Sequence, residues 1–393
     1  MESPCLILSD THLSRDHGQS TGKALGKLVA QHRGAELILA GDIFDLSLDP
    51  PRVPLENSTS AALAAHPEFR DALRSHAASG GKITLVPGNH DAALTNPSGL
   101  SALRRALGTP DDRQVEVCSW FLRRGGVHIE HGHLYDPDNS FAHPLADHSP
   151  HTEPLGTALM RRFVAPNDAI FFAHAHRTTP ASGLRMTIEK WGARAPLVIV
   201  RYFVTAFGLV GDAALRKGSR RRERSQGDAR LLACAERTGL EPEVLRALVR
   251  VAEEPTHESF RRTFLRLYFD RIFAALSLTT GVGLLTAAGL GVTGPASGAL
   301  LTTLGGGYLL QSVLREKNRY GGRIVEDVED SAHLVRSVTG AELVILGHTH
   351  VPVAKPGYVN LGSFGFGRPE RPYVLLDTSG HATPLRFPRE NAA

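Results

Sequence analysis

Five short apolar runs frame the chain, and each stops on a polar turn. Leu6-Ile7-Leu8 leads into Asp10-Thr11-His12, Leu37-Ile38-Leu39 into Gly41-Asp42-Ile43-Phe44-Asp45, and Ile83-Thr84-Leu85-Val86 into Pro87-Gly88-Asn89-His90-Asp91. Val127-His128-Ile129 leads into His131-Gly132-His133, and Leu343-Val344-Ile345-Leu346 into Gly347-His348-Thr349-His350. Runs this short, bounded by Gly and Pro, read as buried strands. The first is read over 4–9 and the second over 36–40. Between them a helix is expected from an N-cap at Ser20 and Thr21 to about His32, with Leu25, Leu28 and Val29 on one face and Gly34 ending it. Residues 49–60 read as a loop, and Pro67 opens a second helix that the Gly80-Gly81 pair stops. Tyr373-Val374-Leu375-Leu376-Asp377 reads as a final edge strand. Strand and helix units alternating at this length argue for an α/β fold. Its five polar turns are expected at one edge of one sheet, the end where open α/β sheets bind ligands.

The chemistry of those turns is uniform. Asn89, His90 and Asp91 place an amide oxygen, an imidazole and a carboxylate side by side: a hard metal ligand, a proton donor and a group to orient the donor. The ordered blocks D-x-H, G-D, G-N-H-D, H-G and G-H-x-H resemble the calcineurin-like metallophosphoesterases over roughly residues 1–136 and 338–390. Gly357-Tyr358-Val359-Asn360-Leu361-Gly362-Ser363 resembles the N-x-G-S turn that follows the last block in that family. The resemblance implies a β-sandwich flanked by helices (α/β/β/α), split by a large, mainly helical insertion. It also implies two divalent metals: Asp10, His12 and His350 on the first, Asn89, His131 and His348 on the second, and Asp42 bridging. Mn²⁺ is expected, with Fe or Zn²⁺ as alternatives, because carboxylate, amide and imidazole donors suit these ions better than Ca²⁺. His90 is expected to donate a proton or hydrogen bond, with Asp91 fixing its tautomer, while Asp45 orients a ligand and His133 has a second-tier or substrate role.

The middle of the chain follows a different pattern. Three parts are expected: residues 1–136 and 338–393 as the catalytic domain, and 137–337 as the insertion. Residues 134–155 carry His143, His148 and His151 among prolines, and read either as a solvated loop or as a lid. Ala173-His174-Ala175-His176 copies the last block superficially, without its Gly, and reads as a decoy. Leu215 to Arg224 holds the strongest basic run, a solvated loop or a contact for acidic lipid. No interleaved aromatics support single-stranded nucleic acid there. Helices are expected over 228–238 and 241–271. Ile272 to Leu314 contains no charged residue. Roughly 43 helical residues would run about 65 Å, twice the ~30 Å hydrocarbon core of a bilayer. Gly294-Pro295 at its middle suggests a hairpin, and Arg266, Arg271, Arg315, Lys317 and Arg319 hold both ends on the cytoplasmic side. The soluble alternative is a buried helical pair. Leu197 to Gly211 is apolar, contains Arg201, and reads as too short to span: an interfacial helix or a core helix.

Composition adds bounds. The chain has 393 residues, 42% hydrophobic and 21% charged, with a net charge of +4 and three cysteines. That composition is ordinary for a folded protein and carries no disorder signature. The slight basic excess favours anionic partners, a phosphorylated small molecule or lipid, over nothing more specific. Cys5, Cys118 and Cys234 lack metal-ligand spacing and read as buried reduced thiols. A strand begins almost at once, with no basic and apolar leader before it, so a cytoplasmic catalytic part associated with the inner membrane is expected. The leading function is hydrolysis of a phosphodiester or pyrophosphate bond by in-line attack of a metal-bridging hydroxide, on a lipid-linked or nucleotide-linked substrate. Within the family, the UDP-2,3-diacylglucosamine diphosphatases are similar in the early blocks and in an insertion before G-H-T-H. This chain departs from them at His90, where Arg is common, and in its larger insertion. A soluble phosphatase or nucleotide phosphodiesterase is the alternative, and a non-catalytic scaffold a third.

Overall fold

The computed structural model describes residues 3–109, 114–170, 180–215, 217–291, 295–315, 323–366 and 370–388. The chain divides into two units, one formed by Met1–His174, Lys217–Pro255 and Ile324–Ala393, the other by Ala175–Arg216 and Thr256–Arg323.

The first unit holds two sheets. β1 (Cys5–Leu8), β2 (Glu36–Ala40), β3 (Ile83–Val86) and β4 (Val115–Val117) lie parallel in a six-stranded sheet. β5 (Leu122–Arg124), β6 (Val127–Ile129), β7 (Leu343–Leu346), β8 (Val353–Lys355) and β9 (Tyr358–Asn360) form a five-stranded one, in the order β5-β6-β7-β9-β8. β10 (Glu370–Leu376) and β11 (Ala382–Pro388) return to the first sheet, which is ordered β11-β10-β1-β2-β3-β4.

Side-chain alternation along each strand assigns the layers. Leu6 and Leu8, with Leu37 and Leu39, face Leu25, Leu28, Phe69 and Leu73 of helices Gln19–Gln31 and Pro67–Ala78. Their neighbours Cys5, Ile7, Ile38 and Ala40 face the other way, onto Ile129, Ile345 and Val359 of the second sheet. On that sheet's outer face Val344 and Leu346 pack with Leu245, Leu248, Val328 and Val335. Helix, sheet, sheet, helix is therefore the layer order, the expected α/β/β/α arrangement.

Several local expectations are corrected. The five polar turns end strands of two sheets, not one: β1, β2 and β3 belong to the first, β6 and β7 to the second. Tyr373–Leu376 is not an edge, because β11 pairs with β10 along its length. Gly18, at φ 94°, caps the first helix, and Ser20 and Thr21 lie inside it. Helix Leu55–Ala65 starts within the expected loop. The basic run from Lys217 is the helix Lys217–Ala229, with residue 216 outside the described set, and 241–271 breaks into Pro242–Val251, Phe260–Arg266 and the start of Phe269–Gly289. The two compact units part at 174/175, 216/217, 255/256 and 323/324. The outer face of the second sheet must be covered, and the helices with apolar stripes available to cover it are Leu231–Thr238, Pro242–Val251 and Ile324–Thr339.

The second unit is helical: Pro180–Trp191, Ala195–Leu215, Phe260–Arg266, Phe269–Gly289 and Pro295–Arg315. Phe269–Gly289 and Pro295–Arg315 run antiparallel, as Gly305 against Ala274 and Gly298 against Leu285 show. Among the described residues two helices are long and apolar enough to cross a membrane, Gly183–Leu215 and Phe269–Gly289. The stretch 197–211 lies within Ala195–Leu215, 21 residues long, so its length does not exclude a crossing, contrary to the expectation.

Candidate metal centre

The strand ends converge through backbone hydrogen bonds. The Asp10 amide donates to the Gly41 carbonyl at 3.0 Å, and the Thr11 and His12 amides both donate to the Asp42 carbonyl at 3.0 Å, locking the turn after β1 onto the turn after β2. The His348 amide donates to Asp10 Oδ2 at 3.1 Å and so ties the second sheet to the first. The Asn360-Leu361-Gly362-Ser363 turn supports both from behind. Asn360 donates to the Gly347 carbonyl at 2.8 Å, and Ser363 donates to the Asp10 carbonyl at 2.8 Å.

Backbone strain collects here. Asp10, His12, Asp42, His348 and His350 all have φ between 48° and 67°. Left-handed conformations cost a non-glycine residue roughly 1–2 kcal/mol, and only two other described non-glycine residues adopt one, Asp168 and Tyr268. Strain held at one place in this way points to function. Close approach explains the motif glycines: a Cβ on Gly88 would lie 2.2 Å from Asp42 Oδ1, and one on Gly41, itself at φ 88°, would lie 2.4 Å from the His131 ring.

Three overlapping groups of donors result, one of them His12, Asp42 and His90, while the other two correspond to the cation sites that the resemblance implies. Asp10, His12 and His350 form one, with His350 Nε2 3.1 Å from Asp10 Oδ1 and 3.3 Å from His12 Nε2. Asp42, His131 and His348 form the other, with His131 Nε2 3.1 Å from Asp42 Oδ2. Asp42 stands between them, 3.9 Å from His12 Nε2 as well. Asn89 completes the set. Its amide nitrogen donates to Asn139 Oδ1 at 3.2 Å, while its oxygen is buried with no hydrogen-bond partner. An orphaned buried acceptor is costly without a ligand, and a cation held with His131 and His348 supplies one. The residues present therefore fit two divalent cations, divided as the resemblance implies.

Burial alone would raise the Asp42 pKa, but His131 and His90 beside it hold the carboxyl well below its usual range. His90 is corrected in its partner. Its Nδ1 lies 2.8 Å from Asp45 Oδ1 and 3.1 Å from Ser47 Oγ, whereas Asp91 accepts from the backbone amides of Gly88, Ile43 and Phe44. Asp91 thus shapes the turn and Asp45 orients the imidazole. Burial would lower the His90 pKa, yet the carboxylates of Asp45 and Asp42 raise it to about 9. Burial and the Asp42 charge push Asp91 up to about 6.

Other residues reach the site unannounced by the motifs. Asp136 Oδ2 lies 3.0 Å from His348 Nε2, which leaves Nδ1 of that ring for a metal. Burial opposes its ionisation, but the His348 contact holds Asp136 far below the ordinary carboxylate range. Glu130, fully buried beside His131, accepts from Trp120 and Tyr135 and faces His128 Nε2 at 3.0 Å. His133 is buried between the His131 and Phe141 rings, and burial, with His131 beside it, holds its pKa well below the usual imidazole range. His143 and His148 are buried too, which corrects the solvated-loop reading of 134–155, and only His151 is exposed. His174 and His176 lie outside the described residues.

Mixed carboxylate, amide and imidazole donors at strand ends between two stacked sheets form a site able to hold divalent metal. Residues 3–178 match the model of the calcineurin-like phosphoesterase family, whose members are metal-dependent phosphoester hydrolases with a dinuclear divalent centre. The Gly347-His348-Thr349-His350 turn lies beyond the matched residues, and β7 brings it into the same centre. No curated protein matches the chain.

Proposed function

We propose that the enzyme cleaves a phosphodiester or pyrophosphate bond in a lipid-linked or nucleotide-linked substrate presented at a membrane. The observation that carries this reading is the coupling in one chain of the donor set to a unit whose large apolar side chains are turned outward, among them Val204, Phe207, Leu276 and Leu304. The helix Lys217–Ala229 adds exposed Arg221 and Arg222, suited to acidic headgroups at about 1 kcal/mol each.

Asp10, His12, Asp42 and His350 would hold one cation, and Asp42, Asn89, His131 and His348 the other. When bound, the pair supplies Lewis-acid stabilisation of charge on the phosphoryl oxygens. Manganese is the proposed ion, since no thiolate joins the set to favour softer metals. His90 is cationic at neutral pH and held by Asp45 through Nδ1, so its Nε2–H donates to the oxygen that gains charge as the ester bond breaks. Asn139 fixes the Asn89 amide so that its oxygen faces the cation site.

The test compares turnover of a generic aryl phosphodiester, a phosphomonoester and a UDP-linked diacyl sugar by purified protein supplied with Mn²⁺, Fe²⁺ or Zn²⁺. Preference for the lipid pyrophosphate is expected. Preference for soluble esters, with full activity in detergent-free solution, would instead support the soluble phosphodiesterase reading.

A further inference from the structure

The apolar helices of the second unit are packed in a way that tells their solvent. Where Phe269–Gly289 meets Pro295–Arg315, the seam is built on glycines, with Leu285 and Leu278 of the first arm packed against Gly298 and Gly306 of the second. A Cβ on Gly281 would lie 2.5 Å from the Thr302 amide, one on Gly298 2.9 Å from the Leu285 amide, and one on Gly305 2.5 Å from the Ala274 carbonyl. The seam repeats every seventh residue, Ala274 and Gly281 on one arm against Gly298, Gly305 and Ser312 on the other. Many large side chains point away from it: Phe273, Leu276, Val282, Leu300, Leu304, Leu310 and Leu314 are all exposed, and Leu290 is 77% exposed. A helix pair built for water does the reverse, with leucines in the seam and polar residues outside. Small seams with outward leucines are the packing that lipid favours, because acyl chains already solvate the large residues.

Two details agree. The exposed Thr279 and Thr286 hydroxyls donate back to the carbonyls of Ala275 and Val282 at 3.0 Å, so these donors need no water. At the open end the polar groups gather: Tyr308 donates to Asp270 at 2.6 Å, Arg271 donates to Ser312 at 2.7 Å, and the Arg271 guanidinium lies 4.7 Å over the Tyr268 ring. Tyrosine and arginine at one level mark a headgroup boundary. From Arg271 to Leu290 the arm rises about 28 Å, close to the ~30 Å of hydrocarbon in a bilayer.

The third long helix has another part. Ala195–Leu215 buries Val198, Ala206, Leu209 and Ala213, and exposes Leu197, Val200, Val204 and Phe207 as a stripe interrupted by Arg201. The chain enters this segment from the sheet-bearing unit and returns to that unit directly after residue 216. A single crossing would leave the two ends on opposite sides of the membrane. Residues 171–179 are too few to cross first and restore the balance, as about 20 helical residues are needed. A charged residue in mid-stripe also suits a helix lying flat at the polar boundary better than one crossing the hydrocarbon.

We infer that Phe269–Arg315 is a two-pass transmembrane hairpin, its less apolar second arm carried across by close packing on the first, and that Ala195–Leu215, though long and apolar enough to cross, lies in the plane of the same bilayer, so that three helices touch acyl chains and only two cross them. The inference rests on the membrane part of the proposed function and gives it a topology. Its test uses the full-length protein in sealed phosphatidylethanolamine–phosphatidylglycerol vesicles with the catalytic unit outside, carrying one added cysteine at Leu184, Val204, Leu215, Leu276 or Leu290, with the unsubstituted chain as background. The prediction is that L290C reacts with a membrane-impermeant maleimide only after permeabilisation, whereas L184C and L215C react from outside. A bimane on Val204→Cys should be quenched best by a nitroxide lipid labelled near the headgroup, and one on Leu276→Cys by one labelled deep in the chain. Lumenal reactivity of either L184C or L215C would overturn the flat placement alone. Reaction of all five from outside, or a detergent-free soluble dimer that shields them, would overturn the hairpin and the membrane reading together. Mn²⁺-dependent turnover of a soluble ester in the same vesicles shows whether the phosphoesterase assignment survives either result.

Discussion

Asp10, His12, Asp42, His348 and His350 each accept a backbone conformation that costs energy, and each presents a donor atom as a result. The donors themselves were legible in the sequence because their residue types recur after apolar runs. Their supports were not. Asp45 and Asp91 lie three and forty-nine residues beyond Asp42, and only the fold shows that the imidazole of His90 meets Asp45. Asp45→Asn removes a carboxylate that raises the His90 pKa, so the alkaline limb of the kcat profile should move to lower pH. Because His90 is protonated below about 9, losing its donor role should reduce kcat by about 10²–10⁴-fold. An unchanged limb measured across the alkaline range would assign that role elsewhere. Asp136 was equally hidden, since nothing in His133-Leu134-Tyr135-Asp136 announces a partner for His348. Asp136→Ala should weaken metal affinity by about 10–100-fold while leaving the thermal melting of metal-free protein close to that of the parent, read by metal titration and calorimetry.

At the level of elements, strand positions followed from apolar runs, but partnership did not. Period two shows that Ile7 and Ile38 share a face without showing that the face meets a second sheet containing Ile129 and Ile345. The edge was misplaced for a related reason: β11, Ala-Thr-Pro-Leu-Arg-Phe-Pro, has two prolines and an exposed outer face, so its pattern does not read as a strand. One long-range pair fastens the sheets. Arg124 on β5 donates to Glu36 on β2 at 3.1 Å through Nε and at 2.5 Å through Nη2, and Thr84 donates to the same carboxylate at 3.0 Å. Burial would raise the Glu36 pKa, but the Arg124 hydrogen bonds leave it lowered from 4.5. A carboxyl depressed in the folded state contributes stability that is present above its unfolded pKa and is lost as pH falls through the folded one. Glu36→Gln should therefore destabilise by about 2 kcal/mol at neutral pH, and the gap between variant and parent in denaturant midpoints should close as the solution is taken below pH 4.5. A gap constant with pH would deny the ion pair its role.

Across the whole molecule, the chain uses its ends for chemistry and much of its middle for something else. The insertion's apolar content was readable from composition. That helices Leu231–Thr238, Pro242–Val251 and Ile324–Thr339 belong to the sheet-bearing unit was not, because coverage of an outer face depends on a sheet not yet assembled. Turns from two sheets, separated by about half the sequence, bring their donors together at one centre suited to two cations. The most direct measurement is the metal content and phosphodiester turnover of purified protein and of Asp42→Asn, the residue placed between both donor groups. Two divalent ions per parent chain are expected, with loss of at least one in the variant and turnover reduced to near background. Full metal content with undiminished turnover in the variant would contradict the two-cation centre.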